Sequence, residues 1–128
     1  MAGRSALINV MYKASVAASK RMLRDFGEVE NLQVTRKGTA DFVSQADISA
    51  ERTIQAELAK ARPDWGFIME EGGRVEAADK QMPSWIVDPI DGTTNFLHGI
   101  PHFAISIAVM DKGKITAGTI YDPSRNEF

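Results

Sequence analysis

Two acids three positions apart, Asp88 and Asp91, stand in the stretch WIVDPIDGTTNF, Trp85 to Phe96, and Gly92-Thr93-Thr94 follows the second acid directly. Trp85-Ile86-Val87 reads as a short buried strand that delivers Asp88 at its end. Pro89 is expected to force a turn that brings Asp91 back beside it. A second acidic pair, Glu70-Glu71, closes another strand-like run, Phe67-Ile68-Met69, and leads into Gly72-Gly73. Hard divalent cations such as magnesium take oxygen ligands and keep several waters, so one or two carboxylates per ion suffice. Glu70, Asp88 and Asp91 meet that demand: Asp88 as a bridge between two ions, Asp91 completing one, Glu70 the other, and the carbonyl of Ile90 turned inward by the proline bend. Two such ions can clamp the attacking and leaving oxygens of a phosphoryl transfer. Gly92 lets the backbone come close to a ligand, and free N–H groups at the start of a short helix favour phosphate. Bound cations also reverse the local charge, so that an acidic cluster can receive an anion.

A lone D-x-x-D is weak evidence of metal binding, because acids at strand ends are common. The whole stretch together with a separate acidic strand end is more specific. Aspartyl-nucleophile phosphatases need acids two apart, and a calcium loop opening at Asp88 would need Glu where Gly99 stands. No phosphate-binding P-loop or dinucleotide fingerprint occurs in the sequence.

The elements that would carry these residues follow from periodicity. Leu7, Met11, Ala14, Ala18, Met22 and Phe26 recur at helical spacing, which predicts an amphipathic helix stopped near Gly27. Leu32 to Thr35 alternates like a short strand. Ser44 with Asp47 resembles a capping box opening a second helix that runs to about Ala61, with Pro63 beyond it. Its inward stripe is Asp47, Ala50, Ile54, Leu58 and Ala61, so Asp47 is either a cap or part of a site. Residues 74–84 read as a polar loop. Leu97 to Pro101 closes a short helix, Phe103 to Met110 and Ile115 to Tyr121 form a hairpin about Asp111 to Lys114, and Asp122 to Asn126 is a further turn.

The chain has 128 residues, 44% hydrophobic and 25% charged, which is ordinary globular composition. A net charge of −2 gives no electrostatic footprint for nucleic acid. The absence of Cys excludes disulfides, zinc–thiolate sites and a cysteine nucleophile, and fits a cytoplasmic setting. No apolar run approaches the roughly 18 residues of a membrane span. Residues 1–24 are basic and Ser-containing with no acid, as in transit peptides, but the pattern runs into the fold without a break and is read as an ordinary first helix. His98 and His102 are read as loop or packing residues, since hard-cation sites rarely need imidazole. Trp65 and Trp85 are read as core or lid residues.

WIVDPIDGTTNF resembles the signature of the inositol monophosphatase family, the magnesium-dependent, lithium-sensitive phosphatases. Met69-Glu70-Glu71 is similar to the family's acidic strand end, and Lys37 with Asp41-Phe42-Val43-Ser44-Gln45-Ala46-Asp47 to its upstream element. The run Asn95 to Phe103 and the Tyr121-Asp122-Pro123 turn look most like bacterial members. The likeness covers residues 1–128 as the N-terminal portion of the pattern. It implies a layered α+β fold with helices on a largely antiparallel sheet, and Glu70, Asp88, the carbonyl of Ile90 and Asp91 as ligands of two or three Mg2+ ions. It further implies that Glu70 and Thr93 orient and deprotonate the attacking water, with Asp47 a supporting acid. Asp91 and the Gly92, Thr93 and Thr94 segment would hold substrate phosphate, and Lys37 would lie at the mouth of the site. Glu71 is either a direct participant or a structural acid.

The implied activity is hydrolysis of a small phosphomonoester, inositol monophosphate first, by metal-activated water and without a covalent intermediate. Related sugar, histidinol or nucleotide phosphatases share the central stretch. A homodimer and lithium sensitivity are expectations of the family alone. Its C-terminal W-D-x-A-A-G element, whose Asp is a ligand, does not occur here, so this chain by itself is expected to have an incomplete second metal site and little activity. A reading of another class is a catalytically incomplete fragment acting only as a binding module.

Overall fold

The computed structural model describes residues 5–32 and 36–128, with the side chains of residues 30–32 and 36–37 left out. The first helix, α1, spans Ala6–Leu32. Met11, Ala14, Ala18 and Met22 are buried along it, and Leu7 and Phe26 pack partly buried against the same core. Gly27 does not stop this helix. The apolar stripe continues to the fully buried Val29 one turn on, and packing of that stripe outweighs the local penalty of one glycine. Two serines on the buried face return their hydroxyls to the helix itself: Ser15 donates to the Met11 carbonyl at 2.9 Å and Ser19 to that of Val16 at 2.7 Å.

The second helix, α2, spans Arg36–Ala61 and so begins two turns before the expected start. Ser44 is therefore an exposed mid-helix residue and not a cap. The reason is legible in hindsight: Thr39 and Val43 are buried and continue the stripe of Ala46, Ala50, Ile54 and Leu58 upstream at helical spacing. Of the strand expected over Leu32 to Thr35, Leu32 ends α1 and residues 33–35 lie outside the described residues.

The sheet has five strands in the order β2-β1-β3-β4-β5: Gly66–Met69 (β1), Gly73–Val75 (β2), Ser84–Asp91 (β3), Ala104–Asp111 (β4) and Lys114–Tyr121 (β5). Three pairings are antiparallel, and β1 with β3 is parallel. Only β2 was missed in the polar stretch 74–84, because its three residues are all exposed and carry no apolar alternation. The β4–β5 turn places Lys112 at φ 52° and Gly113 at φ 79°. Two successive left-handed residues make the tight hairpin whose twist matches the strands.

One face of the sheet, bearing Phe67, Trp85, Val87, Ile105, Ile107 and Val109, joins the stripes of the two long helices in a single core. Helices on one face of a mainly antiparallel sheet give the layered α+β arrangement expected. Asp122 and Glu127 close the final turn through two backbone bonds of 2.8 and 3.1 Å, and Tyr121 donates its hydroxyl to Asn126 at 2.6 Å.

Gly27 tests the account of α1. A methyl group added there meets no atom within 4 Å. Gly27→Ala is expected to stabilise the chain by about 0.5–1 kcal/mol, measured as a raised urea midpoint with unchanged slope.

Candidate functional site

Three elements bring the acids together. From α2, Asp47 is 5% exposed and Glu51, one turn on along the same face, is 4% exposed. The turn after β1 carries Glu70 and Glu71, both on the surface. The third contribution comes from β3, which does not end at Asp88. The strand runs on through buried Pro89 and Ile90 to Asp91. Asp88 pairs with Ser106 and Asp91 with Ala104, so two residues on β3, Pro89 and Ile90, stand opposite one on β4, Ile105, and neither has a partner in the ladder. This is a β-bulge, one of the few places a proline is tolerated inside a sheet.

The bulge replaces the turn expected of Pro89 and explains the spacing. In an unbroken strand, residues three apart point to opposite faces. One extra residue returns Asp91 to the face of Asp88, as their partners Ser106 and Ala104 share a face.

Directly beyond, a five-residue helix, α3, spans Thr93–Leu97. Gly92 precedes it at φ 97°. A Cβ there would stand 3.0 Å from the His102 carbonyl oxygen, so glycine is required by both dihedral and space. Thr93 donates its hydroxyl to the Ile90 carbonyl at 2.9 Å. Asn95 donates its side-chain amide to the His102 carbonyl at 2.8 Å and ties α3 to the entry of β4. An open cleft of about 270 Å³ lies between Asp91, Gly92, Asn95, His102, Phe103 and Asp122.

The electrostatics are those of crowded carboxylates. Burial, with the charges of Glu70, Glu71, Asp88 and Glu51 added, pushes the Asp47 pKa up to about 7. Desolvation, followed by the charge of Asp88, raises Glu70 above the usual carboxylate range. Burial and then the charge of Asp91 raise Asp88, and Glu70 and Asp88 are close enough for each to alter the proton affinity of the other. No ion pair among the described residues reaches any of these acids: those present are Arg21 with Asp25 and Arg125 with Asp122. Oδ1 of Asp47 and Oδ1 of Asp88 are buried with no hydrogen-bond partner. A buried carboxylate oxygen without a partner is costly. Acceptor-only oxygens in this state suit a hard cation, although among the described residues no three His, Asp or Glu side chains close into a ready-made cage.

A model of the inositol monophosphatase family matches residues 4–128. The chain belongs to this family. It is 61% identical over 125 residues to the inositol-1-monophosphatase of Mesorhizobium japonicum, covering 98% of this chain and 47% of the relative. The Vibrio cholerae protein named Nus factor SuhB is 41% identical over 122 residues, 95% of this chain and 45% of that one. Among solved structures, the extragenic suppressor protein suhB of Bartonella henselae superposes with a TM-score of 0.82 at 56% identity, over 95% of this chain and 47% of that chain. The chain thus spans about half the length of the relatives it matches.

Of the residues singled out in the sequence as this family's pattern, Asp47, Glu70, Glu71, Asp88, Ile90 and Asp91 fall in one region, with Gly92, Thr93 and Thr94 opening the adjoining helix. The Lys37 side chain lies outside the described residues. Glu51 was missed. It accepts from the Glu71 amide at 2.8 Å and the Gly72 amide at 2.7 Å, and its signal was its place one helical turn from Asp47 on an otherwise apolar face.

The raised proton affinity of Asp47 has a sign. Its folded pKa, about 7, lies above the ordinary 3.8, so it contributes stability fully present below pH of about 4 and lost as pH rises through about 7. Urea denaturation in chelator is expected to show stability falling from pH 5 to pH 8. In Asp47→Asn that fall should be smaller.

Proposed function

We propose that the protein of which this chain is part hydrolyses a small phosphomonoester, inositol monophosphate first among them, in a magnesium-dependent reaction. The observation that carries the reading is the cluster of Asp47, Glu70, Asp88 and Asp91, with two buried carboxylate oxygens lacking any partner. Glu70, Asp88, the Ile90 carbonyl and Asp91 are the residues that would hold the cations. When bound, Mg2+ supplies a polarised water and neutralises charge on the phosphate.

The remaining roles belong to the chain's own groups. Thr93 spends its only proton on the Ile90 carbonyl, so its hydroxyl is left as an acceptor and can orient a water by taking one of that water's protons in a hydrogen bond. Glu70, whose proton affinity is raised by burial and by Asp88, would act as the general base, with Asp47 supporting it through the shared field. The amides of Gly92, Thr93 and Thr94 open α3 and receive the phosphate, with Asp91 at the edge of the neighbouring cleft available to hydroxyls of the alcohol. The names of the relatives at higher identity support inositol phosphate over histidinol, sugar or nucleotide phosphates. Cytoplasmic location, a homodimer and lithium sensitivity are proposed with the family. No helix among the described residues is long and apolar enough to cross a membrane.

The test is release of inorganic phosphate from inositol monophosphate in Mg2+. Asp91→Asn, made in a version extended by the C-terminal half found in the relatives, is expected to abolish turnover while circular dichroism stays unchanged. A near-normal rate would remove the assignment of Asp91 as a ligand. The 128-residue chain alone is expected to turn over slowly at most.

A further inference from the structure

The turn that carries Glu70 and Glu71 has no buried side chain of its own to anchor it: residues 70 to 75 are all exposed. The β1–β2 pairing closes the turn at Met69 and Gly73, and Glu51 ties it to α2. Its carboxylate, buried under the turn, takes the Glu71 amide on one oxygen at 2.8 Å and the Gly72 amide on the other at 2.7 Å. Hydrogen bonds to an ionised acceptor are the strong kind, and two successive amides on two oxygens fix orientation as well as distance. The lack of a side chain at Gly72 is part of the fit. A Cβ there would come within 3.1 Å of Glu51 Oε1 and 3.0 Å of Met69 Cε.

Asp47 lies one turn earlier on the same face of α2, so a rigid stretch of helix joins it to the clamp on the turn. We propose that Glu51 is a positioning residue: by gripping the amides of Glu71 and Gly72 it docks the acidic turn on α2 and sets the separation of Glu70 from Asp47 and Asp88. Its role is to place other groups, since both of its carboxylate oxygens are occupied by backbone amides. The placement has a cost that argues for a purpose, since a further negative charge is brought to acids that already repel one another. The two amides offset that cost locally. This inference rests on the cation reading given above.

The test titrates Mn2+ into the chain, following water-proton relaxation, with amide exchange at Glu71 and Gly72 read by NMR. Glu51→Gln puts an amide donor against an N–H, and Glu51→Asp falls short by one methylene. Each is expected to bind Mn2+ at least about tenfold more weakly, with exchange at those two amides accelerated and exchange in β4 unchanged. Gly72→Ala leaves Glu51 in place but obstructs the grip, so it should weaken binding in the same way and decides the matter if the Glu51 variants do not fold. Glu57→Gln, on the part of α2 near Val10 and Lys13, should behave as the unaltered chain. Unaltered Mn2+ affinity in Glu51→Gln and Gly72→Ala would overturn the role of Glu51 alone. No Mn2+ binding by the unaltered chain would instead overturn the cation reading, and this inference with it.

Discussion

Carboxylates set side by side repel one another, and a fold that needs them there must hold them by other means. Asp47, Glu70 and Asp88 all have raised proton affinity, from burial first and from the charge of their neighbours second, and no basic side chain among the described residues relieves it. The restraint comes from the scaffold. Asp47 is fixed by the apolar stripe of α2, where Ala50, Ile54 and Leu58 are pressed into the core. Asp88 continues a strand whose preceding residues, Trp85 and Val87, are buried under the helices. These two acids are thus held by neighbours whose burial does not depend on their charge, while the turn bearing Glu70 is tied to α2 through Glu51. Hydrophobic packing of a few side chains at roughly 1.5–3 kcal/mol each is ample to hold the two acids against repulsion from their neighbours.

That division of labour explains what could be read from the sequence. The stripes of α1 and α2 and the strands β1, β3, β4 and β5 rest on apolar periodicity, which packing preserves, and each was legible. The candidate site residues could be named because the stretch from Trp85 to Phe96 and the Glu70-Glu71 strand end are separate pieces of one family pattern. The structure then laid them in one region.

The misses have local causes. Gly27 and Ser44 are residue types that punctuate helices, since glycine often ends them and serine often begins them. In both places the burial pattern continued, at Val29 and at Thr39 and Val43, and tertiary packing outweighed a propensity of about 1 kcal/mol. β2 escaped because three exposed residues on a sheet edge carry no alternation. Glu51 escaped because its partners are backbone amides twenty and twenty-one residues away, which no side-chain pattern announces.

The bulge between Asp88 and Asp91 separates two kinds of distance that are easily confused. Counted along its own chain the strand advances three residues between the acids; counted by its neighbour it advances two. A comparison made by spacing alone sets this motif apart from those with acids two apart, whereas in space Asp91 shares a face with Asp88, as residues two apart on a regular strand do. The surplus residue also leaves Ile90 outside the ladder, where its carbonyl accepts from Thr93 and keeps a second lone pair in reserve. The irregularity therefore enlarges the ligand vocabulary of a β-strand. It aligns two side chains and releases one main-chain oxygen, and shortening the sequence by a single residue here would remove both at once.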